Sequence, residues 1–262
     1  MSRNAELDAL YARLDDLCAR AERGELGVSD FLSPTELHYA EKYLRGASRP
    51  YVCFGGYSDA ERSRLYIFPE YLEALASAKE LDEYGFSCEI CALELRTDGY
   101  RTLSHRDYLG SLLGLGIERA VIGDILVLGD KGEAATVFCD STISAYICEQ
   151  LSRISSEKVK IRRVPLDEVS VPERRFADIS DTVASPRIDC IVAAICSLSR
   201  EKARCAVEGG LVELDFECEE RADKVVSAPC IISVRGYGRY KIDAVNDKTK
   251  KGRYRLVARK YL

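Results

Sequence analysis

The stretch from residue 188 to residue 242 constrains this chain more than any other. Ile188, Ile191, Val192 and Ile195 recur at spacings of three and four, the repeat that puts one apolar stripe on a helix. Ser199 then stands where an N-cap belongs, and 200–208 reads as a second helix with Ala203, Ala206 and Val207 turned inward. Gly209 and Gly210 end it. Residues 211–216, 231–235 and 239–242 alternate as strands do, with Gly236-Tyr237-Gly238 as a tight turn. The spacing therefore predicts a small unit of two short helices and several strands.

The same stretch is basic. Arg200 and Arg204 are four apart and share a helix face. A helix that begins with free N–H groups and carries two arginines outward suits phosphate. In the last strand-like segment, Arg253, Arg255 and Arg259 fall on one face and Tyr254, Leu256 and Ala258 on the other. Residues 1–182 hold 22 Lys and Arg against 32 Asp and Glu, whereas 229–262 hold 10 against 2. A local positive excess in a chain of net charge −5 points to a polyanion as partner of one domain; a solvated basic surface is the plain alternative.

Ahead of that unit, residues 3–23 read as an amphipathic helix through Leu7, Leu10, Leu14 and Leu17, stopped at Gly24 and Gly27. Ser33-Pro34-Thr35-Glu36 is a capping box with proline at the first helical position, opening a helix to Arg45. Segments 51–54 and 65–68 read as a hairpin, and Pro69 precedes a helix to about residue 84. From 86 to 164 the order is strand, helix, strand, strand, helix, strand, at 86–95, 105–113, 120–128, 134–139, 141–151 and 159–164. This split βαβ order is shared by many RNA-binding domains and by many proteins of other function. No aromatic pair of the kind that stacks bases marks its first or third strand. Periodicity fades over 166–186, where Pro172 and Pro186 fall. The fold class expected is α+β in three small lobes: an N-terminal mixed α/β lobe at 1–84, a ferredoxin-like βαββαβ domain at 85–165, a linker at 166–184 and a basic domain at 185–262.

Several function classes drop out. There is no apolar run long enough to span a membrane, and the charged start lacks the apolar core of a signal peptide. Eleven cysteines, odd in number and set mostly in apolar stretches, fit buried thiols in a reducing compartment, so the cytoplasm is expected. The two histidines, His38 and His105, have no paired nucleophile motif. Cys88 and Cys91 have metal-type spacing but no second pair, and packed thiols are the reading preferred. His105-Arg106-Asp107 copies a kinase triplet, but Leu112 stands where that chemistry needs Asn. His105 is read as a helix-start residue near a surface, with an RNA contact by His105 or Arg106 as the second option. No catalytic residue, metal or cofactor is expected.

Ser185-Pro-Arg-Ile-Asp189, Leu198-Ser-Arg-Glu-Lys-Ala-Arg204, Gly210-Leu-Val212 and Ile232-Ser-Val-Arg-Gly-Tyr-Gly-Arg239 together resemble the S4-like RNA-binding domain, named from the fourth protein of the small ribosomal subunit. The resemblance implies that Arg187, Arg200, Lys202, Arg204, Arg235 and Arg239 contact folded RNA. Lys241, Lys250, Lys251, Arg253 and Arg255 extend the candidate set along the basic strands that follow. The chain departs from that pattern at Leu214-Asp215 and at Pro229-Cys230.

Over its length the chain is similar to the bacterial YlmH family. The likeness is carried by Phe31-Leu-Ser-Pro-Thr-Glu36, Phe54-Gly-Gly-Tyr57, His105-Arg-Asp-Tyr-Leu-Gly110, Gly114-Leu-Gly-Ile117, Gly123-Asp-Ile125, Thr182-Val-Ala-Ser185 and Thr249-Lys-Lys-Gly-Arg253. It implies ribosomal RNA of the large subunit as partner, transfer RNA as a further one, and a role in handling stalled nascent chains; a non-enzymatic monomer off the membrane is the expectation from the residues themselves. Two rival classes stay in view. One is an RNA-modifying enzyme of the pseudouridine synthase kind, for which Arg13-Leu14-Asp15 and Arg187-Ile188-Asp189 are the contexts to inspect. The other is a protein adaptor, for instance in cell division, using the acidic first 182 residues.

Overall fold

The structure, a computed structural model, describes residues 3–69, 71–72, 88–248 and 252–261. The helix expected after Pro69 lies outside the described residues except at its start, and Lys250 and Lys251 lie outside them altogether. The chain forms two compact units, Met1–Pro172 and Glu173–Leu262. Each combines helices with antiparallel sheets, an α+β architecture.

In the first unit, α1 (Arg3–Glu22) and α2 (Pro34–Gly46) pack on a sheet of β1 (Gly27–Val28), β2 (Tyr51–Phe54) and β3 (Arg64–Ile67), ordered β1-β3-β2. The capping box forms as the sequence predicts: the Ser33 N–H donates to Glu36 Oε2 at 2.8 Å, and the Glu36 N–H donates to Ser33 Oγ at 3.3 Å. Leu10 and Leu14 of α1, Ala40 and Leu44 of α2, and Leu65 and Ile67 of β3 are buried together. Two-residue β1 carries no alternation long enough to read and was not expected.

A second sheet in this unit holds β4 (Ile90–Thr97), β5 (Ile122–Leu128), β6 (Ala134–Asp140), β7 (Arg153–Ile154) and β8 (Glu157–Val164), ordered β5-β6-β4-β8-β7. Helices α3 (His105–Leu113) and α4 (Ser141–Gln150) bury Tyr108, Leu112 and Ile147 on the face of Leu93, Leu95 and Val137. The strand and helix order expected over 86–164 is therefore present, with β7 as an addition.

The second unit is one six-stranded sheet under two helices. Its strands are β9 (Phe176–Val183), β10 (Val212–Leu214), β11 (Glu217–Cys218), β12 (Cys230–Val234), β13 (Gly238–Lys248) and β14 (Tyr254–Tyr261), ordered β11-β10-β12-β13-β14-β9. Helices α5 (Ile188–Ile195) and α6 (Arg200–Glu208) cover one face. Ile188, Ile191, Val192, Ala203 and Val207 meet Val212, Ile232, Ile242 and Leu256 in the core. Ser199 caps α6 by accepting the Lys202 N–H at 3.3 Å.

Three sequence expectations are corrected in this unit. The segment 166–184 is not wholly a linker, because Phe176–Val183 pairs with β14 through eight consecutive residues. β9 is an edge strand and only Val183 is fully buried, so no apolar alternation marks it. The strand expected over 211–216 stops at Leu214, since Asp215 (φ 48°) and Phe216 (φ 68°) turn the chain back into β11. Arg253 precedes β14 rather than joining its arginine face, and its Nε donates to Thr182 Oγ1 at 2.9 Å.

Candidate RNA-binding surface

The ends of α5 and α6 are organised around one buried carboxylate. Asp189, in the first turn of α5, is 1% exposed. It accepts Arg187 Nε and Nη2, both at 3.1 Å, and Arg200 Nε at 3.3 Å. Burial works against its ionisation, but the hydrogen bonds from Arg187 and Arg200 outweigh burial and hold its pKa below the usual carboxylate value. The apolar stripe of α5 sinks Asp189 into the core edge. The capped start of α6 brings Arg200 to it from the next helix. The result is two cations from separate helices fixed side by side, each partly in solvent.

Arg204 lies one turn along α6 from Arg200 and pairs with Glu208 at 2.6 Å on the open helix surface. Lys202 is exposed but sits about 200° round the helix from Arg200, so it does not share that face. Arg235 is exposed at the end of β12, where its N–H donates to the Leu211 carbonyl at 2.9 Å. Arg239, Lys241 and Arg255 alternate with buried Tyr240, Ile242 and Leu256, which places them on the sheet face opposite the helices. The candidate residues therefore divide between two surfaces. Arg187, Arg200 and Arg204 belong to the helix ends, and Arg239, Lys241 and Arg255 to the sheet.

The aspartates of the three sequence contexts are all hydrogen-bonded within the fold. Asp15 accepts the Tyr43 hydroxyl between α1 and α2. Asp107 closes a cap on α3 by accepting the Ser104 N–H at 2.8 Å and the Ser104 hydroxyl at 2.6 Å. Asp189 is engaged as described. His105 begins α3 and is exposed, as its reading as a helix-start residue requires. Cys88 and Cys91 pack into different apolar clusters, and the described residues contain no group of side chains suited to a metal ion.

In the first unit, several motifs of the chain converge on one joint. Asp124 accepts the Tyr57 hydroxyl and the Glu61 N–H, both at 2.7 Å, and the Arg62 N–H at 3.1 Å. Arg62 and Arg119 donate to the Ile122 carbonyl, and Arg62 donates also to the carbonyl of Phe31. Burial, and then the charge of Arg62, lower the Arg119 pKa to about 10. The Tyr57 ring stacks on Phe138 of β6 at 4.9 Å, where Phe31, Ile90 and Ala92 are also buried. Part of the middle sheet's non-helical face is thereby closed by the N-terminal lobe. What remains open there is charged: Arg96 and Arg162 flank Glu94, and Lys160 is exposed. Sequence reasoning did not single out these cations, although Lys158, Lys160 and Arg162 recur at the strand period of two.

Residues 82–168 match the family model described as "Putative RNA-binding domain in YlmH". The "Ribosome-associated protein quality control protein P2" of Bacillus subtilis is 28% identical over 236 residues, which is 90% of this chain and 88% of that protein. Among solved structures, the "Cell division protein ylmH from Streptococcus pneumoniae" aligns with a TM-score of 0.51 at 17% identity, over 66% of this chain and 97% of that one, a likeness of fold. The chain is thus similar to YlmH proteins in its middle segment and, at 28% identity, to a ribosome-associated relative over most of its length.

Proposed function

We propose that this protein is a non-enzymatic, ribosome-associated RNA-binding factor of the cytoplasm, acting in quality control of stalled nascent chains. The observation that carries the reading is the Asp189 node, which fixes Arg187 and Arg200 side by side at the ends of two helices in a basic unit. Two guanidiniums held at a set spacing with their outer edges in solvent suit the phosphates of folded RNA. The match over 82–168 and the likeness to a ribosome-associated quality control protein support the same class of function. In this reading Glu173–Leu262 is an S4-like domain, the β4–β8 sheet with α3 and α4 is a ferredoxin-like domain, and the partners are large-subunit ribosomal RNA and peptidyl-tRNA. The expected contacts are Arg187, Arg200, Lys202, Arg204, Arg235 and Arg239, with the basic residues of the strands that follow as a second set. Among the described residues no helix is long and apolar enough to cross a membrane.

The test is sedimentation of cell extract through a gradient at low and moderate salt. The protein should travel with ribosomal subunits at low salt and leave them as salt rises, because phosphate contacts release counterions. A protein that stays at the top under both conditions refutes the reading. Incubation with total RNA followed by nucleoside mass mapping tests the enzyme class, and a modification dependent on Asp15 or Asp107 would overturn the non-enzymatic claim.

A further inference from the structure

On the face of the second unit's sheet turned away from α5 and α6, planar side chains form a continuous line. The Arg239 guanidinium lies 5.8 Å from the centre of the Phe216 ring and 5.9 Å from that of Tyr261. Tyr261 meets Phe176 edge to face at 5.0 Å, and Arg259 stands 5.0 Å over Phe176. Strand register builds the line: Tyr261 opposes Phe176 across β14 and β9, and Lys241 opposes Arg259 across β13 and β14. The group thus runs from the β10–β11 turn to the edge strand.

Phe216 holds a left-handed backbone that bulky residues rarely adopt, and that turn sets its ring beside Arg239. The five planar side chains are all half-exposed, while alternate residues of the same strands, Tyr240 and Leu256, are buried. Arg239, Lys241, Arg255 and Arg259 stand on this face together with Asp243, with Asp178 of β9 opposite Arg259 and Glu213 of β10 in register with Arg239 through Ser233, while Lys260 opposes Tyr240 on the helix side. Rings interleaved with guanidiniums, set among cations on an open sheet, match the two needs of an unpaired nucleic-acid strand: flat groups for bases and positive charge for phosphates.

We infer that this sheet face binds an unpaired stretch of RNA, its bases stacking against Tyr261, Phe176 and Arg239 and its phosphates meeting Lys241 and Arg255. The inference rests on the RNA-binding reading above and adds a base-stacking surface on the opposite side of the unit from the helix ends. The test uses the full chain and a labelled unpaired RNA of about ten nucleotides, within the usual site size of such surfaces.

The chain has no tryptophan, so Tyr261→Trp supplies a single indole at the proposed site. Its fluorescence should be quenched saturably by the oligonucleotide. Phe176→Leu with Tyr261→Leu keeps apolar bulk but removes both rings, and should weaken oligonucleotide binding about tenfold per lost stack. The same pair should leave binding to heparin, which has no bases, unchanged. An unquenched indole with oligonucleotide bound overturns the inference, as does equal loss toward heparin. Failure of the wild-type chain to bind any RNA would sink the RNA-binding reading itself, and this inference with it.

Discussion

Asp189→Asn isolates what the helix-end node contributes. The substitution keeps shape but replaces a carboxylate by an amide that can accept from only one side and that turns donors toward two guanidiniums. Asp189 is 1% exposed, so water cannot replace what is lost on its side, while Arg187 and Arg200 can still be hydrated. Three charge-assisted bonds are affected. Discounting the solvent-screened Arg200 contact leaves a cost of about 2 kcal/mol for the altered carboxylate. In a unit of this size that lowers the melting transition by about 10 °C.

The pH dependence has a definite sign. The folded pKa of Asp189 is depressed, so its contribution is present above the ordinary carboxylate value and is lost as pH falls through the lower folded value. The asparagine variant should therefore lose stability at neutral pH but converge on the wild type in strong acid. RNA affinity separates positioning from bulk charge. Removing a negative charge from a basic surface should tighten binding if net charge alone matters. If the node positions Arg187 and Arg200 for phosphate, binding should weaken by roughly three- to tenfold despite the more positive protein, as for the loss of up to one well-placed contact. Calorimetry and a filter-binding titration measure both quantities. An unchanged melt, or tighter binding by a folded variant, refutes the reasoning.

Arg200→Gln with Arg204→Gln should weaken RNA binding across sequences and flatten the plot of log affinity against log salt by about 0.7–0.9 per lost phosphate contact, which a salt titration reads directly. Gly56→Ala should destabilise the first unit by about 2–4 kcal/mol, because a Cβ there would lie 2.4 Å from Phe138 Cδ1 on a backbone with φ +100°; a denaturant melt checks it. Asp124→Ala strips three donors of their acceptor at the joint, and a loss of about 2–3 kcal/mol is expected in the same assay. Ser199→Ala should cost about 1 kcal/mol and leave Cys190 of α5 and Cys196 after it as buried as before, measurable by thiol labelling.

Elements whose forces are local were legible in the sequence. The Ser33–Glu36 box and the Ser199 cap each satisfy N–H groups within three residues, so their residue types announce them. The α5 stripe was legible because its apolar spacing is local, although Ile188 to Val192 are all buried and the helix is enclosed beyond that one face. Edge strand β9 was hidden, since its pairing with β14 joins residues more than 70 apart and its side chains stay largely in solvent. At the candidate site the arginines could be named, but not their division between two surfaces. That division follows from which residues of β13 and β14 face the helices, a matter of tertiary packing. Asp189 appeared in the sequence as a motif letter beside Arg187. Its reach to Arg200 depends on the turn between α5 and α6, where Ser197 takes φ 54°.

The partners of the arginines decide which can exchange them for phosphate. Arg204 and Glu208 form a pair with both side chains about half exposed, worth little in water, so a phosphate can replace Glu208 at small cost. Arg259 is held by Asp243 through two bonds at 2.7 and 2.8 Å in a less exposed setting, and a phosphate there must displace a bidentate partner. Asp189 cannot be displaced without opening the core, yet it engages Arg187 and Arg200 from beneath and leaves their outer edges in water. The helix ends thus combine a fixed pair with an exchangeable neighbour one turn away. The node would set the register of a phosphate backbone, Arg204 would follow by giving up Glu208, and the salt dependence of binding should be carried mainly by that second step.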